Sequence, residues 1–430
     1  MNIQKLLYQN ILWRGFFYLS AFILNIFIAR HFEAALTGRI YYLITIYAFI
    51  TLITSLSLET GIVYFSSKNQ ISQSKLMNFS LLWVGLITVL MLVIFGIISL
   101  FATINSLIFA YGMLFVSGNI LLTFITGLFY ARKKYMAPNI VGIFINVLLI
   151  ALLFFAHSNN SWLSNDNFLI IYFSSFLVQA ILSLAILRSG LPKTLKISLP
   201  DKWQLKMLFH YCLLAFVANL FSLFLYRIDY WFVHRYCTAQ ALGNYIQVSK
   251  LAQMFFILPG ILASAVFPLT AGDHRQKINN SLMMLCRVLL FFYGIACVIL
   301  AIAGSWLFPV IFGESFTGMY EPFILLIPGI LALSTLYTLT AYFAGKNQIF
   351  VNLKGVAIAL VIIILGDAYL IPRYGINAAA AVSSLGYIAY HIYVLAIFTK
   401  QYKVSAIDFF YLRISDLQKI KNFFFKFPPA

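Results

Sequence analysis

About a dozen apolar runs, each roughly 20 residues or longer and none in strict two-residue alternation, decide what this chain can fold into. A hydrocarbon core about 30 Å thick is crossed by about 20 helical residues, whereas a barrel strand needs about ten, alternating between lipid and lumen. In lipid every backbone N–H and C=O must be paired inside the fold, so only helices or closed barrels span it. The runs here have helix length. Composition agrees, with 63% hydrophobic and 9% charged residues, against roughly 25% charged in a soluble domain. The expectation is an all-α polytopic membrane protein of twelve transmembrane helices.

The spans fall near 10–29, 40–66, 77–101, 106–130, 139–156, 167–187, 205–233, 241–270, 279–303, 321–345, 350–371 and 376–399. The stretch 306–320, apolar with Pro309 and Gly313, reads as a short re-entrant or interfacial piece rather than a span. The first run has Lys5 before it and no A-x-A site after it, so it reads as a retained span, not a signal peptide. The four cysteines are scattered without a C-x-x-C pair and read as small apolar packers.

Lys and Arg resist translocation and so set orientation. With the N-terminus inside, 23 of the 29 Lys and Arg fall at inner ends and four, Arg30, Arg39, Arg235 and Arg373, at outer ends. Arg227 and Lys250 lie within spans. The net charge of +18 is therefore mostly topology, and it implies no nucleic-acid partner.

The longest polar stretch between spans, 188–204, divides the chain into six spans and six. The expected organisation is an N-terminal bundle 1–187, a cytoplasmic linker 188–204, a C-terminal bundle 205–399 and an amphipathic cytoplasmic tail 400–430. The tail mixes Phe423, Phe424 and Phe425 with Lys419, Lys421 and Lys426, a pattern that suits an anionic lipid surface. The halves also resemble each other. Arg30 to Gly38 and Arg235 to Gly243 are both eight residues apart, each followed by a Tyr within three. Ala131, Asn139 and Gly142 repeat the spacing of Ala344, Asn352 and Gly355. Two matches in register argue for a duplicated six-helix unit, with parallel repeats around a central cavity.

Here the chain resembles a known family. Ala29-Arg30…Gly38-Arg39-Ile40-Tyr41 with Gly61, Tyr226-Arg227-Ile228-Asp229-Tyr230-Trp231…Leu242-Gly243-Asn244-Tyr245, Leu258-Pro259-Gly260, Phe267-Pro268 and Leu307-Phe308-Pro309…Gly313…Phe316…Leu326-Ile327-Pro328-Gly329 are similar to bacterial polysaccharide-biosynthesis (O-antigen, Wzx-type) flippases of the multidrug/oligosaccharidyl-lipid/polysaccharide superfamily. The chain departs from the family pattern at Glu33-Ala-Ala-Leu-Thr37, where small residues are usual. The resemblance implies two six-helix bundles in the bacterial inner membrane. It implies transport of an undecaprenyl-diphosphate-linked oligosaccharide from the inner to the outer leaflet by alternating access. It admits a proton or sodium ion as coupling ion and polysaccharide polymerase machinery as partner, and it calls for no cofactor and no metal.

An ionisable group at mid-span costs roughly 2.5–3.5 kcal/mol on the insertion scale, so it faces a cavity or a partner. Six stand out. Arg227 and Lys250 are cations far from both ends of their spans, and an anionic diphosphate suits them. Arg14 is a third candidate substrate cation; it either snorkels to head groups or pairs with Glu59 at similar depth. Glu59, Asp229 and Asp367 are gate or coupling candidates. Asp229 with Lys250 also reads as a bundle-locking ion pair, and Asp367, one turn from the outer end, as an interfacial group. His210 and His391 are proton carriers or packed polar residues.

No G-x-x-x-x-G-K-[ST] loop is present, so the chain carries no motif for ATP hydrolysis. A membrane glycosyltransferase or polymerase would need an extended outer loop, and no outer connection exceeds about 18 residues. The nearer alternative is an ion-coupled multidrug exporter of the same superfamily, which would carry cavity carboxylates.

Overall fold

The structure is a computed structural model, and it describes residues 3–102, 105–158, 164–190, 198–270, 275–413 and 415–416. Part of the expected linker, 191–197, and the tail beyond 416 lie outside the described residues. The described chain is all α-helical: α1 Ile3–Ser55, α2 Leu58–Ser67, α3 Gln73–Ser99, α4 Ser106–Ala131, α5 Met136–Ser158, α6 Asn165–Ser189, α7 Lys202–Tyr236, α8 Ala239–Met254, α9 Ile257–Thr270, α10 Arg275–Phe312, α11 Tyr320–Gly345 and α12 Ile349–Tyr402.

Ten of these stretches are long and apolar enough to cross a membrane. Two are far too long for one crossing. At 1.5 Å per residue, the 54 residues of α12 would run about 80 Å. Each is broken near its middle by a residue with positive φ, Glu33 in α1 (57°) and Gly375 in α12 (61°). Each therefore holds two spans, and the described residues make twelve passes in a multi-pass membrane protein.

The ends of the helices follow from the sequence. Ser72, Asn105, Ser164 and Thr238 cap α3, α4, α6 and α8 by accepting backbone N–H bonds from the first turn. Asn69, Lys133 and Asn347 take left-handed backbone after α2, α4 and α11. The next N–H, of Gln70, Lys134 and Gln348, then returns to the carbonyl five residues back. The stretch 306–320 is not a separate insertion. α10 continues through Pro309 to Phe312, and a 3-10 turn, Glu314–Met319, joins it to α11.

Two expected spans are broken rather than continuous. Span two is interrupted at Leu56 and Ser57, both left-handed, and restarts as α2. Span eight is interrupted at Phe255 and Phe256, where α8 ends and α9 begins. Pro259 then sits in the first turn of α9, where its missing N–H costs nothing.

Compact packing separates two units. One comprises Met1–His31 with Leu43–Leu220, the other Phe32–Tyr42 with Phe221–Ala430. Inside the first, α4 packs against α2, α3 and α6; inside the second, α11 packs against α9, α10 and α12. In spans these are the same set, two, three and six around four, then eight, nine and twelve around ten. Glycine permits both close seams. A Cβ on Gly118 of α4 would stand 2.5 Å from the Leu177 nitrogen in α6, and one on Gly329 of α11 would stand 2.8 Å from Ser384 Oγ in α12. The duplication read in the loops is thus repeated in the packing.

Candidate functional site

The second unit carries a buried acidic cluster. Asp229, in the second half of α7, is 3% exposed. Its Oδ2 accepts a 2.5 Å bond from the Tyr245 hydroxyl of α8 and a 3.2 Å bond from the Ser383 hydroxyl of α12. Asp367, in the first half of α12, is fully buried, and neither of its carboxylate oxygens has a hydrogen-bond partner among the described residues. It lies within electrostatic reach of both Asp229 and Tyr245. A cavity of about 20 Å³ opens beside Asp229, lined by Tyr226, Tyr245, Gln253, Ser383 and Tyr387 among others. That is room for one water or one small cation.

The local sequence explains the placement. Gly243 and Asn244 bring Tyr245 onto the buried face of α8, where every residue from Leu242 to Ser249 is buried. Ser383 projects from the small-residue run Ala378–Ala380, Val382, Ser383, Ser384, which lets α12 approach closely. Two carboxylates this deep, with no ion pair to either among the described residues, leave the site short of positive charge.

Two of the expectations are corrected here. Asp229 and Lys250 form no ion pair: Asp229 is satisfied by hydroxyls, and Lys250 places its ammonium 2.9 Å from the ring centroid of Tyr41. Asp367 is not exposed near a helix end but fully buried. Gly375, eight residues on, ends that half of α12, so Asp367 lies two turns inside the helix and is packed within the unit.

Lys250 and Arg227 stand within electrostatic reach of each other, on α8 and α7. Lys250 makes no ion pair among the described residues. Its neighbour Tyr41 belongs to the segment 32–42, which packs in this unit. The same segment places Tyr42 flat on His234 of α7, with centroids 3.9 Å apart.

The first unit holds Arg14 and Glu59, which are not paired either. Arg14 turns to tyrosines instead. It bonds the Tyr18 hydroxyl at 3.3 Å and lies 6.0 and 5.8 Å from the Tyr18 and Tyr130 ring centroids. Glu59 keeps one carboxylate oxygen buried with no hydrogen bond among the described residues. The i,i+4 spacing of Arg14 and Tyr18 was visible in the sequence, and depth matching alone favoured the wrong partner.

His391 is a packed polar residue. It is buried, its Nε2 is 2.9 Å from Thr335 Oγ1, and Phe410 meets its ring edge-on. Tyr245, Ser383 and Tyr41 were missed by sequence reasoning as site residues. Tyr41 and Tyr245 are the tyrosines that follow the repeated Arg-to-Gly spacing, so the repeat was their signal; Ser383 had none.

No protein-family profile matches the chain. No curated protein matches it. Solved structures share its fold. A mutant form of the Vibrio cholerae MATE transporter VcmN superposes with a TM-score of 0.64 at 16% identity, over 94% of this chain and 98% of that one. The lipid II flippase MurJ in an inward closed conformation gives 0.65 at 14% identity, over 98% and 94%. A transporter of the MOP superfamily from Pyrococcus furiosus, described by the reversed polarity of its binding pocket, gives 0.61 at 12% identity, over 98% and 95%. The chain therefore has the twelve-helix fold of MATE and MurJ transporters of the MOP superfamily.

Proposed function

We propose that this protein is an ion-coupled flippase that carries an undecaprenyl-diphosphate-linked oligosaccharide from the inner to the outer leaflet of a bacterial plasma membrane. The two repeats, 1–187 and 205–399, alternate access, and both termini lie in the cytoplasm. The observation that carries this reading is that Lys250 in the second unit makes no ion pair among the described residues and lies within electrostatic reach of a second cation, Arg227. Two like charges held together in a poorly screened place favour an anion between them, and Arg offers a diphosphate a bidentate grip. A relative in fold that is named a lipid II flippase supports the substrate class. Asp229 and Asp367 supply the coupling site, where uptake of a proton or sodium ion neutralises the cluster.

Arg227→Ala and Lys250→Ala should each lower surface-polysaccharide export at least tenfold at unchanged membrane abundance. Arg227→Lys should keep part of it, since charge survives and the fork is lost. Normal export by the double alanine variant would remove both residues from the substrate path.

The acidic cluster also favours a second reading, an ion-coupled multidrug exporter, because a drug-cation exchanger needs carboxylates of this kind. Efflux of a fluorescent cationic drug that survives Lys250→Ala and fails in Asp229→Asn would select it.

Orientation has its own test. Reporter fusions after Leu187 and after Lys400 should both report cytoplasm, as the charge distribution requires. A periplasmic signal at either point breaks the six-plus-six arrangement.

A further inference from the structure

A series of tyrosine hydroxyls leads away from the acidic cluster through the second unit. Tyr226 of α7 lines the same cavity as Asp229, one helical turn away. Its hydroxyl shares a hydrogen bond with that of Tyr337 in α11. Its ring lies 6.0 Å, centroid to centroid, from that of Tyr387 in α12. Tyr387 donates to the Leu225 carbonyl at 3.3 Å and stands within hydrogen-bond reach of Ser383, which itself bonds Asp229.

The break in span eight builds the wall of this series. α8 ends at Met254 and α9 starts at Ile257, which brings Phe256 against both tyrosines. Its ring centroid is 6.2 Å from that of Tyr226 and 5.8 Å from that of Tyr337, and it lines the cavity as well. The cavity has room for one water, and Asp229, Tyr226, Ser249 and Gln253 offer the polar partners that a buried water needs. Oxygens then follow one another from Asp229 through that water to Tyr226 and Tyr337.

The series has a direction. Asp229 lies seven residues, about 10 Å, from the Tyr236 end of α7. Tyr337 lies eight residues, about 12 Å, from the Gly345 end of α11, which three passes later is on the opposite face. Tyr337 is half-buried and so brings the series to the surface of the unit. A hydroxyl or a water accepts one proton while giving up another, so such a series moves a proton without carrying any heavier atom along it. A metal cation must travel whole, and a pair of bonded hydroxyls is no passage for one.

We propose, resting on the coupling role given to Asp229 above, that Tyr226 and Tyr337 form its proton path and that the coupling ion is a proton. As the Asp229 carboxyl gives its proton to the cavity water, that water passes one of its own to Tyr226. Tyr226 passes its hydroxyl proton to Tyr337, and Tyr337 passes one out. One O–H bond forms for each that breaks, and only Asp229 changes charge. Asp229 is faced by Asp367 and Tyr387 of α12, Tyr245 of α8 and Tyr230 of its own helix, which Arg227 reaches in turn. In the orientation proposed above the Gly345 end is cytoplasmic, so the path releases protons inward.

The test follows the infrared carboxyl band of protonated aspartate after a rapid jump from pH 5 to pH 8, with the full-length protein in lipid nanodiscs. The band should disappear in the parent after the jump and be reduced in Asp229→Asn from the start. Tyr226→Phe and Tyr337→Phe keep the rings and remove the hydroxyls. Each should lose the band at least tenfold more slowly than the parent, with parental amplitude and thermal stability. Tyr293→Phe, whose ring meets Phe255 at the same break, should match the parent. A parental rate in either Tyr226→Phe or Tyr337→Phe, or equal slowing in Tyr293→Phe, overturns the path and leaves the coupling site standing. A parent without an Asp229-dependent band overturns the coupling reading and the path with it.

Discussion

Asp229→Asn and Asp367→Asn are each expected to reduce transport at least tenfold while leaving the protein as stable as the parent or more so. Asparagine keeps the shape of the side chain and still accepts the Tyr245 and Ser383 hydroxyl bonds that now reach Asp229. What it removes is charge. Two carboxylates held together where little water reaches repel each other, and neutralising one relieves that repulsion. A residue that only supported the fold would behave in the opposite way, since losing it would lower stability first and transport as a consequence. The pairing of lost transport with retained or raised thermal stability is therefore the signature of a coupling site. Transport assayed against proton and sodium gradients separately would name the ion. Full transport by both asparagine variants, at normal abundance, would leave the cluster as packing.

The helices were legible because lipid imposes a single rule on every span, and the length of each apolar run obeys it. The breaks in spans two and eight were less so. Leu56 and Ser57 take left-handed backbone without a glycine or proline to announce it, and the break at Phe255–Phe256 comes ahead of Pro259-Gly260 rather than at it. Charged residues were found easily, since few occur within spans, but their partners were not. Depth along a helix is one coordinate, and pairing needs the azimuth as well. Arg14 and Glu59 match in depth, yet Arg14 turns to Tyr18 and Tyr130. Asp229 and Lys250 also match, yet one faces Tyr245 and Ser383 and the other Tyr41. Hydroxyl partners are invisible in a chain with 26 tyrosines, because any of them is an equally good candidate before the fold is known. The repeat was the better guide, for Gly38 and Gly243 stood out by spacing alone and meet in the structure.

Arg287→Ala is expected to release the segment after α12 and leave the bundle folded. Arg287 of α10 is 4% exposed and grips Asp416 with two nitrogens, Nε to Oδ2 at 2.7 Å and Nη2 to Oδ1 at 3.0 Å. Its Nη1 donates to the Asp408 carbonyl at 2.6 Å. Phe409, buried against Phe398, completes the dock. Breaking one partner of a buried pair costs about 3–5 kcal/mol when the other charge must stay behind. Here it need not stay, because Asp416 lies on the docked segment itself and can leave for water with it. The cost is then capped at the free energy of lifting 404–416, and local opening replaces global unfolding. A loss of about 3 kcal/mol shifts the opened population roughly 100-fold. Hydrogen exchange over 405–416 should accelerate by that factor, with little change in the helices of the second unit. Arg287→Lys should fall between, since a point charge replaces a fork. The pH dependence has a definite sign. Arg287 holds the Asp416 carboxyl below the usual carboxylate range. Its stabilisation is therefore complete above the unfolded value of about 3.9 and is lost only as pH falls through the lower folded value. The segment should stay docked at pH 5 as at pH 7 and release in stronger acid. Parental exchange rates in Arg287→Ala at pH 7 would show that the apolar dock, not the ion pair, holds the segment.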